Sequence, residues 1–310
     1  MKKFITAVCM AAAILCIIIF FNRRSSENLV ASGQALEEVN SNEGQDEESI
    51  ELGADNNIGI DEEKAEVEEQ DEGNEEDESF ECITIASEDV RIPILMYHSI
   101  CSDDPDNSLM IPTEMFAEQM EWLRENDFTA MSMDDVIEAM NTGKVPKRPV
   151  LITFDDGYAD NYINAFPELK NNNLKGTFFI ISDTITEEGG YYMSTSMLKE
   201  MKEAGMEIEN HTANHLELNN LSREDAIDSI KRGQEFLRSV IGSNGNYLCY
   251  PVGRYSDETI EIQKELGIKA ALTTQGGISS IADGKYELKR IRISPMNIEN
   301  FAEIFSEYMY

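Results

Sequence analysis

Leu151-Ile-Thr-Phe-Asp-Asp-Gly157 is the stretch on which the fold turns. Four apolar or β-prone residues run into two adjacent carboxylates and a glycine, and a helical pattern carrying Tyr162, Phe166 and Leu169 follows. This predicts a buried strand whose carboxyl end opens into a loop and then a helix. In α/β folds the chemistry gathers at the carboxyl ends of strands. Neighbours on an extended chain point to opposite sides, so Asp155 and Asp156 can serve different tasks, one holding a metal and the other a proton. Asp-Asp-Gly is also good turn chemistry, and taken alone the turn is the simpler reading.

A second stretch, Glu207-Ile-Glu-Asn-His-Thr-Ala-Asn-His-Leu216, changes that balance. His211 and His215 are four apart, which on a helical turn would place both imidazoles on one face, able to share a cation. The chain has 3 histidines in all, and two of them fall here. Two imidazoles and one carboxylate make a facial metal site with positions open to water and substrate.

Thr153-Phe-Asp-Asp-Gly157, His211-Thr-Ala-Asn-His215 and Tyr250-Pro-Val-Gly253 resemble, in order and spacing, the first three signature motifs of the polysaccharide deacetylases, the NodB homology domain. The resemblance covers residue 91 to the C-terminus. It implies a distorted, incomplete (β/α) barrel and metal-dependent removal of acetyl groups from N-acetylated sugars. It also implies Asp155 as general base, Asp156, His211 and His215 as ligands of one divalent metal ion, expected to be zinc, and the Val252 N–H as a donor to the oxyanion.

Two departures from the family pattern stand out. Many relatives carry an arginine two residues before the equivalent of Pro251, where this chain has Cys249. Many also carry a late histidine that protonates the leaving amine, and here none follows His215. Arg290 and Arg292, in Leu288-Lys-Arg-Ile-Arg292, are both candidates to replace the arginine. His98 is the histidine left to act as acid. It ends Pro93-Ile-Leu-Met-Tyr-His98, which resembles the opening of one branch of the family. That branch also lacks the two missing groups. The plainer alternative is a histidine that caps a strand.

Ahead of this part lie two segments of different composition. Residues 1–24 read as an N-terminal membrane anchor or signal segment: Lys2 and Lys3, an apolar run of roughly 18 residues, then Arg23 and Arg24. An uncleaved anchor with its amino end in the cytoplasm is expected, and a cleaved signal peptide is the competing reading. Residues 25–81 read as an acidic disordered linker, rich in Glu, Asp, Gly, Asn and Ser and poor in core-forming residues. Much of the formal net charge of -35 belongs to it. That charge argues against nucleic acid or an anionic surface as a partner.

Residues 82–310 then form the catalytic domain. Strands are expected over 92–97, 128–131, 150–154, 177–181, 206–208, 247–250, 270–273 and 290–293. Helices are expected over 113–126, with Thr113 as cap, and over 133–140, 194–204, 222–241, 257–266 and 298–308. Repeated βα units of this size predict a parallel barrel. Trp122 reads as packing. Cys82 and Cys101 flank the first strand and could pair if exported, with free thiols the alternative. The leading functional expectation is a membrane-tethered, extracytoplasmic enzyme that deacetylates an N-acetylglucosamine polymer, with peptidoglycan and poly-N-acetylglucosamine as candidate substrates. An O-acetyl esterase on a polysaccharide and a non-catalytic surface glycan-binding protein are the alternatives.

Overall fold

A computed structural model describes residues 82–306. The anchor and linker expected over residues 1–24 and 25–81 lie outside the described residues. In chain order the elements are β1 (Cys82–Thr84), β2 (Ile94–Tyr97), α1 (Thr113–Glu125), β3 (Thr129–Ala130), α2 (Met133–Thr142), β4 (Lys144–Pro146) and β5 (Pro149–Phe154). They continue with α3 (Phe166–Asn171), β6 (Thr177–Ile180), α4 (Thr195–Glu203), β7 (Glu207–Asn210), α5 (Arg223–Ile241) and β8 (Tyr247–Cys249). The last are α6 (Asp257–Glu265), β9 (Ala270–Gly276), β10 (Leu288–Arg292) and α7 (Ile298–Glu303).

Seven parallel strands close into a ring, β2-β5-β6-β7-β8-β9-β10 and back to β2. It is a (β/α) barrel one strand short of the usual eight. Every residue of β5 is buried, because one face meets the barrel interior and the other meets the helices. The alternation of the pleat sorts the side chains. Leu95, Ile152, Phe178 and Ile208 join the helix residues Phe116, Leu169 and Leu198 in the outer core. Ile94, Leu151, Phe179, Tyr247 and Leu272 form the inner one. Helix α2 adds Met133, Val136 and Met140 to the inner cluster. Its Met133 N–H donates to Glu207 Oε2 at the start of β7 (3.0 Å), which plugs the amino end of the barrel. Trp122 packs among Phe128, Phe301 and Phe305.

One expectation needs correction, one pairing is new, and one open alternative is decided. Pro112, with extended backbone, occupies the N-cap of α1, so Thr113 is the first helical residue rather than the cap. β1 and β4 pair in a short antiparallel ribbon that such brief strands do not announce. Cys82 and Cys101 are free thiols. Cys82 sits opposite Pro146, just ahead of β5 and toward the amino ends of the strands. Cys101 follows β2 at the carboxyl ends, so a barrel strand separates the two.

Candidate active site and metal centre

β5 delivers the two carboxylates. The Asp155 N–H still donates to Tyr97 O (3.0 Å), so Asp155 continues the ladder and points into the barrel. Asp156 then adopts φ +75°, and Gly157 follows at φ +81°. This abrupt turn sends the neighbouring carboxylates to different tasks.

The histidines come from the end of β7, and not from a helical turn as the four-residue spacing suggests. Thr212 and His215 both have positive φ, at 66° and 55°, and the segment is an irregular loop. Side chains hold it. The Thr212 N–H donates to Asn210 Oδ1 (2.8 Å), and the His215 N–H donates to Thr212 Oγ1 (3.1 Å). Asn210 Nδ2 in turn donates to Ile230 O in α5 (2.9 Å). A Cβ at Gly233 would lie 2.1 Å from Asn210 Oδ1, so this mid-helix glycine makes room for the residue that shapes the histidine loop.

His211 Nε2 and His215 Nε2 lie 3.3 and 3.4 Å from Asp156 Oδ1. His211 Nδ1 faces Cys249 O at 2.8 Å. Donation of Nδ1–H to that carbonyl turns the Nε2 lone pair toward Asp156, the arrangement that orients a metal-ligating histidine. A tetrahedral ion with bonds of about 2.0 Å spaces its ligands about 3.3 Å apart, so Asp156, His211 and His215 fit one. A second donor group, Asp155, His211 and Cys249, also lies within 4.8 Å, but Arg290 occupies its carboxylate and sulfur. Burial opposes charge on His211, yet the acceptors at Cys249 and Asp156 push its pKa up, so proton and cation compete for the same nitrogen. Burial and the charge of His211 push His215 down.

Arg290 settles which arginine reaches the aspartate. It is fully buried, and its Nη1 and Nη2 donate to Asp155 Oδ1 and Oδ2, each at 2.8 Å. Its remaining donors reach Thr273 O, Thr153 Oγ1 and Cys249 Sγ. The short side chain of Cys249 leaves the space that a guanidinium arriving from β10 fills. Burial raises Asp155, but Arg290 overrides this and holds the carboxyl far below the usual range. His98 follows β2 directly, with Nε2 3.9 Å from Asp155 Oδ2. Burial lowers its pKa against the pull of Asp155 and Asp156, which leaves a neutral imidazole at neutral pH.

Val252 stands at φ +56° and is 54% exposed. A left-handed β-branched residue is an outlier, and Gly253 beneath it packs so closely that a Cβ would meet Thr274 Oγ1 at 2.0 Å. Asp156, Thr212, His215 and Val252 are four of the six non-glycine positive-φ residues among those described. Strain of this kind collects where a structure must aim groups at a ligand. One residue escaped the sequence reading: Tyr158, whose phenol is pushed up by burial and by the neighbouring Asp156 carboxylate. Its place directly after Gly157 was the available signal. A cavity of about 360 Å³ at the carboxyl ends of the strands joins His98, Asp155, Asp156, His211, His215 and Val252, with Leu109, Thr274 and Arg292 beside them.

Known proteins resemble this chain in sequence and architecture. The family model for polysaccharide deacetylase matches residues 142–271. YxkH of Bacillus subtilis (strain 168), provisionally named a polysaccharide deacetylase, is 36% identical over 206 residues, covering 66% of this chain and 72% of its own. A poly-beta-1,6-N-acetyl-D-glucosamine N-deacetylase of Staphylococcus epidermidis is 28% identical over 225 residues, covering 64% and 78%. The solved structure of Streptococcus pyogenes deacetylase PplD in complex with acetate aligns with a TM-score of 0.66 at 34% identity, covering 69% of this chain and 97% of that one. At 36% identity over 72% of one relative's length, and with the same barrel as a solved deacetylase 34% identical to it, the chain belongs to the polysaccharide deacetylase family.

Proposed function

We propose that this protein hydrolyses N-acetyl groups from an N-acetylglucosamine-containing polysaccharide outside the cytoplasmic membrane. On this reading residues 1–24 anchor it and residues 25–81 act as a spacer. The observation that carries the reading is the convergence of Asp156, His211 and His215 beside an Arg290-clamped Asp155 in one cavity. The names of its relatives support the substrate class.

Asp156, His211 and His215 would hold one divalent cation, for which zinc suits the nitrogen-rich donor set. Such a cation supplies Lewis acidity, polarising a carbonyl and acidifying water. Arg290 holds the Asp155 carboxyl below its usual range and fixes both of its oxygens. Asp155 accepts the proton of the attacking water. His98 Nε2 lies 3.9 Å from Asp155 Oδ2. On this reading the proton passes from Asp155 to His98, and from the imidazolium to the departing amine. The Val252 N–H is assigned to the oxyanion, where one such donor is worth roughly 3 kcal/mol of barrier.

The test is acetate release by the full-length protein from N-acetylglucosamine oligomers and from O-acetylated xylan, with Asp155→Asn as control. Release from the amide substrate, lost in the control, supports the reading. Turnover of the O-acetylated glycan alone would make the protein an esterase instead.

A further inference from the structure

Arg292 is the functional-site cation that the chemistry above leaves unused. It closes β10 opposite Met96 of β2 and lines the cavity with His98, Asp155 and Asp156. Its side chain is exposed, and among the described residues no ion pair or hydrogen bond engages it. This sets it apart from most arginines of the domain. Arg124, Arg223 and Arg232 lie in surface ion pairs, and Arg290 is committed to Asp155.

Arg290 cancels Asp155, and Asp156 belongs to the cation site. Arg292 is then an uncompensated positive charge at the mouth. The molecule as a whole carries -35, which repels extended polyanions, so this local reversal of sign favours one anionic group placed beside the scissile amide. A guanidinium is the side chain whose planar fork matches carboxylate or phosphate, and it holds them by charge-assisted hydrogen bonds.

We infer that Arg292 is a specificity residue that binds an anionic substituent, a carboxylate or phosphate, on the sugar unit next to the N-acetyl group being removed. The preferred substrate is thus an anionically substituted N-acetylated glycan rather than a uniform neutral polymer. The inference rests on the deacetylase reading and names the substrate class for that same site.

The experiment compares three soluble substrates of matched length with the full-length protein: neutral N-acetylglucosamine oligomers, oligomers alternating with a lactyl-ether carboxylate sugar, and oligomers carrying a phosphate diester. Wild type should favour one anionic substrate in kcat/KM, and which one it favours separates the carboxylate from the phosphate source. Arg292→Gln should lower kcat/KM on that substrate about 10- to 100-fold, the range of a hydrogen bond to a charged group. The change should lie mainly in KM, and Arg292→Lys should recover part of it. The loss on the neutral oligomer should be at least tenfold smaller, and the anionic preference of wild type should fade with added salt.

Equal losses on neutral and anionic substrates would overturn the inference, as would a wild type that prefers the neutral oligomer. If none of the three is turned over, the deacetylase reading fails instead. Arg292 is then read by calorimetric titration of Asp155→Asn with the anionic oligomers, and binding that is insensitive to Arg292→Gln in that background would also reject the anion site.

Discussion

Arg290 and Asp155 face each other as a fork on a carboxylate, with both N–O distances 2.8 Å and both side chains out of solvent. The two residues stand 135 positions apart, and only closure of the barrel brings β10 near the end of β5. The pair orients the carboxylate, and it also hides a charge that neither partner could carry alone. Removing one member of a buried pair costs about 3–5 kcal/mol, because the other is left uncompensated. Arg290→Met should therefore lower the unfolding free energy in urea by about that much. Adding Asp155→Asn to it should recover a substantial part. A double variant no more stable than the single would show that the pair is not the source of the loss.

Metal binding is checked without any substrate. Elemental analysis of the purified full-length protein should find close to one divalent ion per chain, falling sharply in His211→Ala. Zinc at about 100 times its dissociation constant should stabilise the wild type by about 2.7 kcal/mol and leave His211→Ala unmoved. Equal metal content in both proteins would remove the proposed centre.

His98 is separated from a purely structural role by its leaving group. His98→Ala should retain metal and lose roughly 10²-fold in turnover on an N-acetylated sugar, the usual yield of a positioned general acid. An activated acetyl ester, whose leaving group needs no proton, should suffer much less. Equal losses on amide and ester would mean that His98 only positions Asp155.

Glu209 gives the barrel interior a dependence on pH. It is 4% exposed, and its Oε2 accepts the Tyr247 N–H at 3.0 Å. Burial, reinforced by the charge of Glu207, pushes its carboxyl up to about 8 from an ordinary 4.5. The folded chain thus keeps a proton that the unfolded chain releases. The stability this group contributes is full below about 4.5 and is lost as pH rises through about 8. Urea midpoints measured from pH 5 to 8.5 should fall with pH, and Glu209→Gln should flatten the slope. An unchanged slope in the variant would place the dependence elsewhere.

Much was legible along the chain because it is local. The apolar run into Asp155 and Asp156 marks a strand end whatever surrounds it. The helices at Thr195–Glu203 and Arg223–Ile241 were expected over 194–204 and 222–241, and the structure makes the serine at the head of each its cap, acting on its own first turn. His211 and His215 were legible as a pair from their scarcity and spacing. Their geometry was not, because left-handed Thr212 and His215 are held by Asn210, which depends on Gly233 twenty-three residues further along.

The choice between Arg290 and Arg292 belonged wholly to the tertiary structure. Both end the same short strand, and the pleat alone does not say which one faces an aspartate from another strand. The parallel register puts Arg290 inside, under Asp155, and leaves Arg292 at the mouth. Sequence by itself determined the kinds of group available to the site, because residue chemistry is local. Their pairing, strain and charge balance depend on distances across the barrel, and those exist only once the ring of strands has closed.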